Sequence, residues 1–142
     1  MTGCLLDTNV LSELRKEKRC DEGVRQWFAG TAAEELFISV LVLGEIRQGI
    51  ERIRRRDPAQ ARALEKWLLW IAAEFQDRLL PVDEAVTDQW GQLGLQQPAP
   101  VLDALLAATA MVHGLTVVSR DEEGFRNTGM PVINPFSKAR RH

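Results

Sequence analysis

The sequence predicts a single α/β domain built on a mainly parallel sheet. Short apolar runs at Gly3-Cys4-Leu5-Leu6, Leu36-Phe37-Ile38-Ser39-Val40 and Leu115-Thr116-Val117-Val118-Ser119 have the length of strands. Between them lie longer stretches whose apolar residues recur every three or four positions, and strands alternating with helices make parallel sheets. With 142 residues, 45% of them hydrophobic, the chain can bury one core without disulfides or structural metal.

The first run ends abruptly in Asp7-Thr8-Asn9, after which Val10, Leu11 and Leu14 follow helical spacing: strand, turn, helix. The second run leads into Leu43, Ile46, Ile50 and Ile53, a second strand feeding a helix with Glu45 near its start. From Pro58, Ala61, Leu64, Leu68, Ile71 and Phe75 mark a long helix, with proline in the first turn where it is favourable. Leu79-Leu80-Pro81-Val82 reads as a short strand or edge, and Asp83-Glu84 as the cap of a helix through Val86, Trp90 and Leu93. Gly94 to Pro100 is a loop. Val101, Leu105, Ala108 and Val112 form an apolar helical stripe closed by Gly114, a residue suited to a left-handed helix end. Leu115–Ser119 is the clearest strand, Arg120–Gly124 a polar turn, and Pro131-Val132-Ile133 a last strand. The sequence contains no internal repeat and no low-complexity segment.

Composition excludes several function classes. No stretch reaches the roughly 18 to 20 apolar residues of a membrane span, and no basic region precedes an apolar one at the N-terminus, so a cytoplasmic location is expected. Cys4 and Cys20 belong to no CxxC or Cys/His cluster and read as reduced thiols. The formal charge of −2 lacks the basicity common in nucleic-acid binders, yet acids gathered in one pocket can hide basic patches elsewhere.

Asp7, Glu45, Asp103 and Asp121 stand out by position. In an open parallel sheet, functional groups gather beyond the carboxyl ends of the strands. Asp7 follows the first strand, Glu45 lies in the helix after the second, and Asp121 comes two residues after the strand ending at Ser119. Asp103 starts a helix that follows a loop. Converging carboxylates repel unless some are protonated or a cation is present, and hard oxygen ligands favour magnesium, manganese or calcium. Phosphodiester hydrolysis by metal-activated water is the chemistry such a site suits. Each acid alone has a plainer reading: Asp7 as a helix cap, Glu45 as a solvated helix residue, Asp103 as a partner of the helix dipole, Asp121 as a turn residue.

Taken together, Leu5-Leu6-Asp7-Thr8-Asn9-Val10-Leu11-Ser12-Glu13-Leu14, Ile38-Ser39 with Gly44-Glu45-Ile46-Arg47-Gln48-Gly49-Ile50, Asp103-Ala104-Leu105-Leu106-Ala107-Ala108-Thr109-Ala110, and Ser119-Arg120-Asp121 with Asn134-Pro135-Phe136 strongly resemble the PIN-domain family. More narrowly they resemble the VapC and FitB toxins of bacterial type II toxin–antitoxin systems. The resemblance implies a PIN-like domain over residues 1–136, with its sheet sandwiched by helices, and leaves 137–142 as a flexible basic tail. It implies an endoribonuclease that uses Mg2+ (or Mn2+), forms a homodimer and is inhibited by a small cognate antitoxin protein. Asp7, Glu45 and Asp103 match the family's metal-site acids and Asp121 the fourth position. Thr8 and Asn9 match residues that fix the first acid, and Ser119 a hydroxyl near the metal. Many relatives carry Asn where Asp121 stands and an acid three residues later, where this chain has Gly124. The FitB-like subset has Asp at the first of these positions, as here. The loop before Asp103 is Pro-rich and shorter than in some relatives.

Arg15-Lys16-Glu17-Lys18-Arg19 and Arg52 with Arg54-Arg55-Arg56 could follow a phosphate backbone or simply be solvated helix ends. Arg120, at the strand end beside Asp121, is the better phosphate-binding candidate, with a salt bridge to an acid as its rival role. Trp27, Phe28, Trp67, Trp70 and Trp90 read as core or interface groups, and Trp67 with Trp70 could widen the Leu64-Leu68-Ile71 stripe into a partner surface. His113 is a helix-end residue. The alternatives to a ribonuclease are a module that binds an antitoxin but cleaves nothing, and a structure-specific DNA nuclease using the same acids.

Overall fold

The computed structural model describes residues 3–94 and 99–137. Five strands, β1 (Cys4–Leu6), β2 (Leu36–Ser39), β3 (Leu79–Leu80), β4 (Thr116–Val118) and β5 (Val132–Ile133), form one sheet in the order β3-β2-β1-β4-β5. Every neighbouring pair is parallel. β1 lies in the middle, with Leu5 aligned to Phe37 on one side and Val117 on the other. Its unbroken apolar run follows from burial on both faces, Leu5 and Leu6 being 1% and 0% exposed.

Seven helices among the described residues surround the sheet: α1 (Thr8–Leu14), α2 (Glu22–Ala29), α3 (Val40–Arg54), α4 (Pro58–Glu74), α5 (Glu84–Gln92), α6 (Val101–His113) and α7 (Glu122–Phe125). Asp57 caps α4 by accepting from the Gln60 N–H, and Pro58 occupies its first turn as the sequence predicts. Gly114 ends α6 at φ 65°, a left-handed conformation that costs glycine nothing. No helix is long and apolar enough to cross a membrane among the described residues.

The structure departs from the sequence reading in three places. α2 was not expected, because its apolar stripe is only Val24, Trp27 and Phe28; the signal was Asp21, whose side chain caps the Val24 N–H. The polar turn after β4 contains the short helix α7, capped by Asp121 on the Gly124 N–H. In α6 the predicted stripe is fully buried only at Ala108: Val101 and Val112 are 61% and 37% exposed, whereas Ala104, Leu106, Ala107 and Ala110, off that stripe, are buried. A helix lying close against a core presents its smallest residues there, and hydropathy patterning alone weights alanine too little to find them. Of the loop expected from Gly94 to Pro100, residues 95–98 lie outside the described residues, as does the expected tail beyond Ser137.

Candidate active site

The strand order creates the site. From β1 the chain moves to β2 on one side and later to β4 on the other, so the helices that follow part at the carboxyl ends of β1 and β4 and leave a crevice, the usual ligand position in an open parallel sheet. Asp7 follows β1 directly, and its N–H extends the β1–β4 ladder to the Val118 carbonyl at 3.0 Å. Ser119, Arg120 and Asp121 leave β4 across the crevice, while Glu45 sits in the second turn of α3 and Asp103 in the first turn of α6.

Asp7 is held from two sides. Its Oδ1 accepts the Thr8 N–H at 2.8 Å and its Oδ2 accepts the Ser119 hydroxyl at 2.7 Å. Asn9 Nδ2 donates to Ser119 Oγ at 3.2 Å and lies 3.5 Å from Asp7 Oδ2, and its Oδ1 accepts the Arg120 N–H at 3.1 Å. The Asp121 N–H donates to Ser119 Oγ at 2.9 Å, so one buried hydroxyl links the first acid to the fourth. Thr8 also donates its hydroxyl to Glu45 Oε1 at 2.7 Å, a role beyond fixing Asp7. Asp7 therefore does cap α1, and capping leaves its other oxygen turned to the crevice network.

Asp103 and Asp121 come together as a hydrogen-bonded carboxyl pair. Gly124 permits this, since a Cβ there would overlap Oδ2 of both residues. The position at which many relatives carry a further acid is thus occupied here by open space for two others. Among the described residues no three His, Cys, Asp or Glu side chains form a ready-made metal-holding group. The acids instead stand as the Asp103–Asp121 pair and as Asp7 and Glu45, each tied to a hydroxyl donor.

Electrostatics records their mutual proximity. Burial, then the hydrogen bond and charge of Asp121, then Asp7 and Glu45, push the Asp103 carboxyl up to about 7. Burial raises Asp7 against the opposing bonds from Ser119 and Thr8, with Asp121 adding repulsion. Burial also raises Glu45, against the Thr8 hydroxyl, with Asp7 adding to it. A site rich in hydroxyl and carboxylate oxygens, with one acid driven toward neutrality by burial and by its neighbours, fits a hard divalent cation. Magnesium keeps several of its own waters and so needs few direct carboxylates.

A pH dependence follows. Raised acids hold protons in the folded state that they release in the unfolded chain, so stability falls as pH rises from the ordinary value of 3.8 to about 7. Glu13, Glu51 and Glu65, held below their ordinary range by Lys16, Arg54 and Arg47, act oppositely and only toward acid pH. In metal-free buffer the melting temperature is expected to fall between pH 5 and pH 7.5, and Asp103→Asn to flatten that fall. A melting temperature rising steadily over this range, measured by calorimetry with EDTA present, would contradict the assignment.

The basic clusters divide. Arg47 and Arg54 of α3 pair with Glu51 and with Glu65 of α4, fastening the two helices together. Lys16 pairs with Glu13, and Arg15 lies 5.6 Å above the Trp67 ring. Arg120 makes no ion pair among the described residues, so the salt-bridge role does not apply to it; its guanidinium lies over the Phe136 ring at 4.8 Å. Away from the acids, α1, α2 and α4 enclose an apolar groove of about 820 Å³ lined by Leu14, Phe28, Trp67, Trp70, Ile71 and Phe75, with Arg15, Lys18, Arg25 and Arg78 among its polar residues.

The family model described as PIN domain matches residues 4–130. A plasmid stability protein, StbB, of Pseudomonas syringae pv. tomato is 34% identical over 139 residues, covering 93% of this chain and 97% of its own. VapC ribonuclease Y4jK of Sinorhizobium fredii is 32% identical, covering 95% of this chain and 99% of its own. The crystal structure of FitAcB from Neisseria gonorrhoeae contains a chain with a TM-score of 0.82 and 30% identity, covering 93% of this chain and 97% of that one.

Proposed function

This chain belongs to the PIN-domain family, and from that premise we propose that it is a divalent-metal-dependent endoribonuclease and the toxin of a type II toxin–antitoxin pair. The observation that supports the reading most directly is the gathering of Asp7, Glu45, Asp103 and Asp121 at the switch point of the sheet, close enough for Asp121, Asp7 and Glu45 to add their charge to the burial that raises Asp103, and for Asp7 to add to that of Glu45. The ribonuclease named among its relatives favours RNA as the substrate.

In this reading Asp7, Glu45, Asp103 and Asp121 hold magnesium or manganese, directly or through water. The cation supplies charge neutralisation at a phosphodiester oxygen and a more acidic water. The chain's own residues prepare the place for it. Thr8 and Ser119 fix the two oxygens of Asp7, the Thr8 hydroxyl orients Glu45, and Asn9 ties the β1 turn to the β4 turn through Ser119 and the Arg120 N–H. Arg120, exposed at the mouth of the crevice, binds a backbone phosphate of the substrate.

A cognate antitoxin is the proposed partner, and its apolar segment would seat in the groove of α1, α2 and α4, where Trp70 and Phe28 remain 57% and 43% exposed. The basic residues there suit a segment carrying acidic groups. A homodimer is the other expected assembly, and Trp90, Val101 and Val112 of α5 and α6 offer exposed apolar surface for it. A cytoplasmic location completes the reading.

The purified chain is expected to cut single-stranded RNA with magnesium or manganese, to stop with EDTA, and to leave 5′-phosphate and 3′-hydroxyl ends. Its expression alone should arrest bacterial growth, and the neighbouring antitoxin should restore it. A 2′,3′-cyclic phosphate product would mean that the ribose hydroxyl attacks, and the metal mechanism would fall. Equal cutting of matching single-stranded DNA would favour a DNA nuclease. Inactivity on a broad RNA panel, with normal growth, would favour a non-cleaving binding module.

A further inference from the structure

Arg120 is held at both ends. Its backbone N–H is bound by Asn9 Oδ1, and its guanidinium lies 4.8 Å over a ring that is itself only 6% exposed. That ring, Phe136, belongs to the segment after β5, which several contacts fasten in place. Asn134 Oδ1 accepts the Phe136 N–H at 3.0 Å, Asn134 Nδ2 donates to Glu122 Oε2 at 2.8 Å, and the Ser137 N–H donates to the buried Asp21 at 2.8 Å. Gly23 lets the segment lie against the start of α2, since a Cβ there would overlap the Pro135 carbonyl oxygen.

We propose that Phe136 is a positioning residue for substrate binding, its ring holding the Arg120 guanidinium over its face at the mouth of the acid crevice to receive a phosphate of the RNA strand. Although Asp121, Glu122 and Glu123 follow it directly, Arg120 makes no ion pair among the described residues, so its charge remains available. An arginine left to solvent gives up rotamer freedom when it binds; one already laid on a fixed aromatic face gives up less. The Asn134–Ser137 segment thereby acts on the site from outside it, through a contact that leaves the acids untouched.

The proposal rests on the reading that the crevice cleaves RNA, and the test separates the two. Kinetics on single-stranded RNA with magnesium, across a salt series, compare the unaltered chain with Arg120→Gln, Phe136→Leu, Phe136→Trp and the Arg120→Gln/Phe136→Leu double variant. Arg120→Gln should raise KM about tenfold, the size of one charged hydrogen bond, with little change in kcat. It should also flatten the salt dependence by about 0.7, one phosphate contact on a single strand. Phe136→Leu should move KM and slope in the same direction, Phe136→Trp should restore both, and the double variant should be no worse than Arg120→Gln. Unchanged KM and slope in Phe136→Leu, or additive losses in the double variant, would overturn the proposal while leaving the nuclease intact. Should Phe136→Leu fail to fold, Arg120→Gln with unaltered KM and slope overturns it equally. An unaltered chain that cleaves no RNA would remove the nuclease reading and this proposal together.

Discussion

Asp7→Asn and Asp103→Asn are each expected to lower kcat/KM on RNA about a thousandfold or more, the loss of several kcal/mol of transition-state stabilisation supplied at the cation. Both variants should fold in metal-free buffer as stably as the unaltered chain, or more so. Asn at position 7 keeps an oxygen for the Thr8 N–H and removes a buried charge that Asp121 repels, which offsets the hydrogen bond from the Ser119 hydroxyl that it gives up. At position 103 the change removes the carboxyl on which burial and the charges of Asp121, Asp7 and Glu45 converge, so repulsion is relieved. Full-length chains would be compared by RNA cleavage with magnesium and by thermal melting with EDTA. Variants that still cleave would remove these acids from the chemistry. Variants that melt far below the unaltered chain would make them structural caps.

Trp70→Ala is expected to weaken the complex with the cognate antitoxin by about 2 to 4 kcal/mol, roughly thirtyfold to a thousandfold in Kd. Trp70 keeps 57% of its surface exposed on α4 beside Trp67, in a groove that no site acid lines. Large aromatic side chains left at a groove are the groups that partners bury most profitably. An exposed ring contributes little to the core of the free chain, so its melting temperature should change little. Calorimetric titration with the antitoxin measures the affinity, and an unchanged Kd would place the antitoxin elsewhere. Charge should matter less: because Arg15, Lys18, Arg25 and Arg78 stand at the groove, raised salt should slow association more than it speeds release.

Sequence reading placed on their elements those candidate-site residues whose signals are short in range. Asp7 after an apolar run, Glu45 in a helix entered from a strand and Asp121 after the β4 strand are all visible within a few residues of chain. Asp103 was placed at a helix start by spacing alone, but its partner was not legible, since nothing near position 103 points to position 121. Gly124 is the instructive case. In the sequence it marks a departure from many relatives, and in the structure it is the space in which Asp103 and Asp121 meet. Thr8 carries a second duty toward Glu45 for the same reason, its partner lying 37 residues away.

By itself, the sequence determined the α/β class, the strand-turn-helix units, the caps at Asp7 and Asp83, the proline in the first turn of α4, the helix end at Gly114 and the order of the acids. These depend on periodicity and on hydrogen bonds spanning three or four residues, which local residue chemistry decides. Only the tertiary structure decided the order β3-β2-β1-β4-β5, and with it the crevice. It also decided that Ser119 reaches Asp7 across 112 residues, that α6 buries its alanines rather than Val101, and that Arg120 lies on Phe136. Those choices belong to the packing of the whole chain. Apolar burial is non-directional, so a hydrophobic pattern says that a face is covered, and only the competition among all faces for one core says by what.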